Sequence, residues 1–578
     1  MNSLCGLANL QAAIFDELTP IYPDTCSADG FSEYTVAGCN GTAVGAHIVL
    51  NGLTPGLPVT VKVEGSHRCF KLFELLAVPV EVNCGAKLRT EYLKDDINEF
   101  VIRRAPFMVY EALDPFYNIF TPPYANAAIA FKTPIEYCRQ CRIEKWEITI
   151  EQGDASVTLL LNVREYPFDV PKANRDTFKY VNWFDFDRLA MDFRCEKWSD
   201  PYFKALEQYL RAAVFSRQNT FCINAAEIFG QAHDGNPLLD AARLDRIIAT
   251  AKRAGISLFH GGALAFRKAY MNEDEVYESM DHGAVVHPEE IAQEFKRQAF
   301  DVFDNWPEAH AAVTGQAIPG EDGEAAILSM AKQLYGYIEK AGLADVWHQC
   351  CLDEPNTALE PAYRRICEIV RSGMPGIPIL EPTLEGEPLA GTMDVWCPSL
   401  DQYERDIDFY NGRVAEGDRI WVYSCLTPAG NYCNRLLDME RLRAVWIGWA
   451  PMVYPDIEGF LHWGANSSST GEPFRRQAGN FTENVLEFHP KHSMFLPAGD
   501  CAIFFPGVDG PMISTRSEAH RIGFEDFHIL SMLKEKSPQD VLPLVNKVFR
   551  RFNDFEKDTA VYRATRQELL DMLARCTG

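Results

Sequence analysis

Between about residue 200 and residue 510 the chain repeats one rhythm: a short run that is apolar throughout, then a stretch with apolar residues three and four apart. The runs include "FCINA", "ISLFHGGAL", "DVWHQCCLDEP", "IPILEPT", "MDVWCPSL", "RIWVYSCLTP" and "IEGFLHWGAN". Between or before them lie "PYFKALEQYLRAAVF", "DAARLDRIIATAKRAG", "AILSMAKQLYGYIEKAG", "EPAYRRICEIVRSG" and "QYERDIDFYNGRVAEG". A strand apolar on both sides must be covered on both faces, which alternating helices do for a parallel sheet. About seven or eight such units over some 300 residues predict an α/β fold of the (β/α)8 TIM-like barrel type rather than an open sheet. Neither a Gly-rich dinucleotide fingerprint nor a phosphate loop interrupts the pattern, which argues against nucleotide-binding folds.

The first 170 residues follow a different rule. "FSEYTVAGCNGTAVGAHIVLNGL", "LPVTVKVEGS" and "KWEITIEQGDASVTLLLNVREYPF" alternate in steps of two, with Gly, Asn or Asp at the breaks. The "GD" in the last of these reads as a hairpin turn. Short strands without helices between them predict an N-terminal β-sandwich. The 578 residues are too many for one core. The expected division is a β-sandwich over 1–172, a (β/α)8 barrel over 173–535 and a C-terminal helical segment over 536–578, packed on the barrel. Residues 265–320 break the rhythm and read as an inserted arm. The chain reads as helical after 510, with "QDVLPLVNKVFRRF" its clearest amphipathic piece.

A formal charge of −26 argues against nucleic acid or an anionic membrane as partner, since phosphate binding needs clustered Lys and Arg. "MNSLCGLANLQAAIFDELTP" has no basic leader region, and no apolar run is long enough to span a bilayer. A cytoplasmic protein is therefore expected, its 17 cysteines mostly reduced. The "CRQC" at Cys138–Cys141 lacks a second pair at zinc-ribbon spacing and reads as a loop coincidence. The sequence leaves oligomeric state open.

In a parallel barrel, functional side chains come from the carboxyl ends of the strands. Those ends carry His260, Asp353 with Glu354, Glu381, Trp396, Tyr423, and His462, Trp463 and Asn466. Acids, amides and aromatics on one rim suit a sugar, whose C–H faces stack on rings and whose hydroxyls need hydrogen bonds. His260 reads equally as a packed turn residue beside two glycines, and Glu381, before Pro382, as a solvated loop acid. His348, Cys350 and Cys351 alternate across a strand, so a closed metal site would need distant ligands; no metal and no cofactor is expected. The adjacent acids Asp353 and Glu354 stand apart. Two like charges at the end of an apolar strand disfavour each other's ionisation, which raises at least one pKa toward that of a general acid. An N-cap role for the helix "EPAYRRICEIV" would account for only one of them.

"LDEP", "MDVWCPSLDQYE", "RIWVYSCLTP", "IEGFLHWGAN" and "DGPMISTRSEAHRIGFEDFHIL", in this order, resemble glycoside hydrolase family 123, the β-N-acetylgalactosaminidases, over about residues 175–535. The resemblance implies a retaining exo-glycosidase acting on terminal β-linked N-acetylgalactosamine, a 2-acetamido sugar. It also implies substrate-assisted catalysis through an oxazolinium intermediate, an exception to the two-carboxylate scheme. It assigns Glu354 as general acid/base and Asp353 as the residue that orients the acetamido group; the strand ends themselves offer Trp396, Tyr423, Trp463, Asn466 and His260 as the lining of the sugar site, although a strand-end Trp reads equally as core. Two places depart from the family pattern: Asp185 follows "WF" where a His is usual, and "RQNTFCINAAEIFG" lacks a Pro-rich pattern. Both bear on which 2-acetamido sugar is bound. Two other classes compete. One is a non-hydrolytic carbohydrate-binding protein on a degenerate barrel, which the intact acid pair opposes. The other is a retaining glycosidase whose nucleophile is a protein carboxylate, for instance Glu458 or Asp394, and which would accept sugars lacking the acetamido group.

Overall fold

The computed structural model describes residues 10–65, 69–86, 97–231, 236–266, 310–311, 321–355, 357, 360–383, 385–467, 476–477, 479–481 and 496–577. The predicted strand and helix alternation is present, and its strands pair in parallel. One sheet has the order Lys179–Asn182, Ile457–His462, Arg419–Tyr423, Val395–Pro398 and Leu380–Thr383. A second contains Thr220–Ile223, Leu258–Gly261 and Trp347–Gln349. Most of these strands are buried at almost every residue, as their unbroken apolar runs require. The covering helices carry ordinary stop and start signals. Ala241–Ala254, for example, begins where the Asp240 side chain accepts from the Arg243 N–H and ends at Gly255, whose φ of +111° is left-handed.

The hydrogen-bonded ladder does not close into the expected barrel. At one seam, between Lys179–Asn182 and Thr220–Ile223, side chains stand in for the ladder. The Asn219 amide oxygen accepts from the Tyr180 N–H at 3.0 Å and the Gln218 oxygen from the Asn182 N–H at 3.2 Å. At the other, between Trp347–Gln349 and Leu380–Thr383, pairing is reduced to one bridge, Gln349 with Ile379. The inserted arm read over 265–320 lies almost wholly outside the described residues, which include its short antiparallel pair Ala265–Phe266 and His310–Ala311.

The N-terminal strands form two facing sheets of five strands each, one of which is extended to seven by Pro511–Ser514 and Phe505–Pro506 from the later chain. The predicted "GD" turn joins Arg142–Gln152 to Ala155–Asp169, with Gly153 at φ +57°. Ile48, Phe131, Trp146, Ile148, Leu159 and Leu161 fill the space between the sheets. The other face of the seven-stranded sheet is also covered. Val78, Val80, Phe107 and Val109 pack against Leu437, Ala498, Phe505 and Met512 of the later chain. One edge of that sheet is completed by Pro511–Ser514, which pairs with Phe107–Phe116 through Ile513 with Leu113 and Ser514 with Ala112. The chain after 510 therefore starts with a strand. It also carries a hairpin, Phe549–Arg551 with Asp554–Phe555, where the amphipathic piece was expected to continue past its helix Pro538–Val545.

The helix Thr515–Lys536 lies between the sandwich and the parallel sheets and buries charged residues along its length. Its N-terminus is a capping box between Ser514 and Ser517. It crosses the helix Leu442–Trp449 so closely that a Cβ on Gly448 would lie 2.0 Å from the Gly523 carbonyl oxygen. Its acids and arginines tie the parts together. Glu518 takes Arg521 at 2.9 Å and Lys132 from the sandwich, Lys132 also reaches Glu17, and Arg516 holds the sandwich residue Glu111 at 2.5 Å. Burial alone would raise the pKa of Glu518, but Arg521 and Lys132 together bring it down to about 2. Its contribution to stability is thus present above the ordinary carboxylate range and is lost as the pH falls toward 2. The unfolding temperature should drop steadily from pH 5 to pH 3. Glu518→Gln leaves Lys132 with Glu17 and Arg521 with Glu525 as their remaining acidic partners; it should cost about 1.5–3 kcal/mol at neutral pH and flatten that acid slope, and denaturant melts across the pH range check both.

Candidate active site

The strand Trp347–Gln349 ends just before the acid pair, and the backbone there leaves the extended region. Asp353 has φ +74° and Glu354 φ +45°, two consecutive left-handed residues that are not glycine. Each costs about 1–2 kcal/mol. In a continuing strand, neighbouring side chains would point to opposite faces. The left-handed pair abolishes that alternation. The Glu354 carboxylate accepts from the Tyr423 hydroxyl at 2.8 Å, and the Asp353 charge helps to raise the buried thiols of Cys222 and Cys397. Tyr423, Cys222 and Cys397 belong to one cluster between the parallel strands, with Val181, Leu380, Val395, Trp421 and Leu461. Both carboxylates thus face the same interior end, and both are half-buried. The helix whose capping was the competing reading for one of them starts at Glu360, as its sequence indicates.

Glu381, expected as a solvated loop acid, is wholly buried. It sits in the strand Leu380–Thr383 and reaches across the weakly paired seam. One carboxylate oxygen accepts from the Asp353 N–H at 2.5 Å, the Cys350 thiol at 2.9 Å and the Leu352 N–H at 3.3 Å. The other accepts from the Cys351 N–H at 2.8 Å and the Tyr363 hydroxyl at 3.1 Å. Burial raises its pKa, opposed by these donors. The neighbouring Pro382 carbonyl accepts from the Glu354 N–H at 3.0 Å.

The other expected site residues divide. Tyr423 joins the acids; burial, then the charge of Glu354, hold its phenol well above the usual range, so it serves as a donor. Trp463 is half-buried at the end of Ile457–His462, its indole N–H donating to Asp500 at 3.1 Å. His260 is fully buried between the in-register Cys222 and His348, its ring 6.1 Å from that of Trp183, and burial pushes its pKa down to about 4. It lies beneath the rim as a neutral side chain. Asn466 is buried and bonded to the backbone of Asp185: its amide oxygen accepts from the Asp185 N–H at 2.9 Å and its amino group donates to the Asp185 carbonyl at 3.0 Å. Asp185 itself caps the helix Phe186–Asp192. Trp396 is outside the cleft altogether. Within Val395–Pro398, Val395 and Cys397 face inward, so Trp396 points outward. There it packs on Phe409 and Tyr410 and donates to Asp418 at 2.8 Å.

Two residues near Trp463 went unread in the sequence. Buried Arg435 donates to the Gly464 carbonyl, to Asn182 and to His462 Nδ1, the last at 2.7 Å. The Gly464 N–H also donates to that nitrogen, which places the ring proton on Nε2, 3.5 Å from Asp500. Asp500 thereby fixes the Trp463 indole against a neutral His462. No local motif marks either residue, because their partners are distant in sequence.

Both carboxylates named as alternative nucleophiles sit at the wrong end of the strands. Glu458 is near the start of Ile457–His462, 3.5 Å from Lys179 and 3.7 Å from Arg419. At about 3.3 Å per residue it lies roughly 13 Å below the strand end. Asp394 precedes Val395–Pro398 and is held by the Ile379 N–H at 2.7 Å and by Arg371 at 3.1 Å. His348, Cys350 and Cys351 diverge: His348 meets Arg419 at 3.0 Å, Cys350 meets Glu381, and Cys351 faces Cys367. Among the described residues no three His, Cys, Asp or Glu side chains are grouped to hold a metal, and no helix is long and apolar enough to cross a membrane.

Comparison with known proteins follows the same line. Residues 183–533 match the family described as glycoside hydrolase 123, catalytic domain. A family 123 glycoside hydrolase from Clostridium perfringens, described for glycolipid glycan hydrolysis, superposes with a TM-score of 0.68 at 12% identity, over 98% of each chain. A family 39 glycoside hydrolase from Bacteroides cellulosilyticus gives a TM-score of 0.34 at 9% identity, over 85% of this chain and 81% of that one. A family 5 mannosidase from Rhizomucor miehei gives 0.31 at 11% identity, over 61% and 92%. No curated protein sequence matches. The family match spans more than half the chain and includes the left-handed acid pair, so this protein belongs to glycoside hydrolase family 123 and is a glycoside hydrolase.

Proposed function

We propose that the protein is a retaining exo-glycosidase that removes terminal β-linked N-acetylgalactosamine from glycans by substrate-assisted catalysis. The observation that carries this reading is the turn at Asp353 and Glu354, which aims two adjacent carboxylates at one interior end. A pair of roles adjacent on the substrate suits such a pair of residues. Glu354 protonates the glycosidic oxygen as the acetamido carbonyl oxygen attacks the anomeric carbon, so the aglycone leaves as an alcohol. Asp353 accepts the acetamido N–H and stabilises the positive charge of the oxazolinium ring. Glu354, now a carboxylate, takes a proton from water, whose oxygen attacks the anomeric carbon, reopens the ring and restores the β configuration. Tyr423 steadies Glu354 by hydrogen bonding, and Trp463 offers its ring face to the sugar.

The domains are the sandwich over 1–172, the catalytic part over 173–535, which lends the strand Pro511–Ser514 to the sandwich's larger sheet, and the C-terminal segment over 536–578. The Clostridium perfringens relative is described for glycolipid glycans, which makes short glycans ending in a 2-acetamido sugar the substrate class to test first. A cytoplasmic setting suits the free thiols found at every described cysteine. The placement of Glu458 and Asp394 weakens the carboxylate-nucleophile alternative.

Four results would test this reading. Glu354→Gln should lower kcat by roughly 10²–10⁴ on poor leaving groups and far less on activated aryl glycosides, which need little protonation; an equal loss across a leaving-group series would remove Glu354 from the acid role. Asp353→Asn should lower kcat more than it changes KM, because its interaction strengthens in the transition state. A thiazoline mimic of the cyclic intermediate should inhibit the wild type strongly and lose that advantage in the mutant, whereas covalent trapping of a fluorosugar on a carboxylate would establish a protein nucleophile instead. The two tryptophans should separate. Trp463→Ala should raise KM about 3–10-fold with little change in melting, while Trp396→Ala should cost about 3–5 kcal/mol of stability and leave KM unchanged.

A further inference from the structure

We propose that Glu381 is a positioning residue for the reaction, a buried carboxylate that holds the Asp353–Glu354 turn in its left-handed form and so aims the acid. The inference rests on the reading of Glu354 given above. Three successive backbone N–H groups, of Cys351, Leu352 and Asp353, converge on this one carboxylate, with the Cys350 thiol and the Tyr363 hydroxyl completing the shell. Successive N–H groups that wrap an anion form a nest, a concavity that strands do not supply. The chain leaves this nest through φ +74° at Asp353 and φ +45° at Glu354. The anion is part of the protein and wholly buried, so it touches no sugar. It acts through the backbone.

The seam explains why a side chain has this task. Strand pairing between Trp347–Gln349 and Leu380–Thr383 stops at one bridge, and the Cys350 N–H is the last to reach a neighbouring strand, at the Gly261 carbonyl 2.9 Å away, so the N–H groups that follow Cys350 have no ladder to enter. The Glu381 carboxylate takes the first three of these beyond Cys350, and the Pro382 carbonyl takes that of Glu354. Only an ionised or multiply accepting group can serve five donors. A glutamine there keeps one accepting oxygen and turns its amino group toward a donor, leaving buried N–H groups unpaired unless the turn relaxes. Relaxation toward ordinary backbone swings Glu354 away from Tyr423 and from the glycosidic oxygen.

The test uses the full chain and a series of 2-acetamido glycosides from activated aryl to alkyl leaving groups. Glu381→Gln should lower kcat roughly 10²-fold on the poorest leaving groups and much less on the best, with KM little changed, the same dependence as Glu354→Gln. Added to Glu354→Gln, it should cost little more on poor leaving groups, because both disable one function. A folded Glu381→Gln protein with wild-type leaving-group dependence, or with one uniform loss across the series, overturns the proposal. Should Glu381→Gln fail to fold, Cys350→Ala and Tyr363→Phe each remove one donor and must show the same dependence at smaller amplitude; a uniform loss or none in both overturns it. If Glu354→Gln itself lacks the dependence, the acid assignment falls first. The clamp is then judged without substrate: Glu381→Gln must speed amide hydrogen exchange at Cys351, Leu352 and Asp353 at least about tenfold over the rest of the sheet, and uniform exchange overturns it.

Discussion

Removing a carboxylate from water is costly unless donors replace the water, and in this protein one such replacement sets the geometry of the site. Glu381 is surrounded by five donors, three of them consecutive backbone N–H groups. Charge-assisted hydrogen bonds are worth about 1.5–3 kcal/mol each, so they can outweigh the strain of two left-handed residues. Without that strain, Asp353 and Glu354 would obey strand alternation and face opposite ways. Adjacent acids acting on one sugar therefore require a bent backbone, and a bent backbone requires something behind it.

A comparable logic holds the larger parts together. The helix Thr515–Lys536 is an interior element that nonetheless carries Arg516, Glu518, Arg521, Glu525 and Asp526, all buried. Buried pairs of this kind add little to stability compared with apolar packing, yet they tolerate no missing partner. Lys132 and Glu111 reach in from the sandwich, and Arg566 reaches in from the last helix to Asp526. The sandwich is thus docked by specific charge pairs as well as by the apolar contact of its second face, and its orientation relative to the parallel sheets is set.

Much of this was legible in the sequence because burial leaves a direct trace there. Strands covered on both faces read as unbroken apolar runs, and the acid pair stood out as charge where such a run ends. The failures have separate causes, of which parity is one. Trp396 ends a strand as Tyr423 and Trp463 do, but Val395 and Cys397 take the inward positions, and no local signal tells odd from even. Glu381 looked solvated because the following Pro382 suggested a loop, whereas both lie inside the strand Leu380–Thr383. The closed barrel was a fair inference from the count of units. What the sequence hid is that Gln218 and Asn219 use side chains where a ladder was expected. Arg435 and Asp500 were silent because each works only through contacts far along the chain.

The pairing of Pro511–Ser514 with Phe107–Phe116 has a consequence for the order of events during synthesis. The sandwich strands leave the ribosome first, but the strand that covers the edge of their larger sheet comes from much later in the chain; the associated pair Arg516 and Glu111 is 405 residues apart. At about 5–20 residues per second, that edge waits roughly 20–80 seconds for its partner. Throughout that interval its N–H and C=O groups, and the apolar face bearing Val78, Val80 and Val109, are open to any other chain nearby. The nascent protein is therefore at its most vulnerable while its catalytic half is still being made, and chaperone demand in a cell should track the length of chain between those two strands.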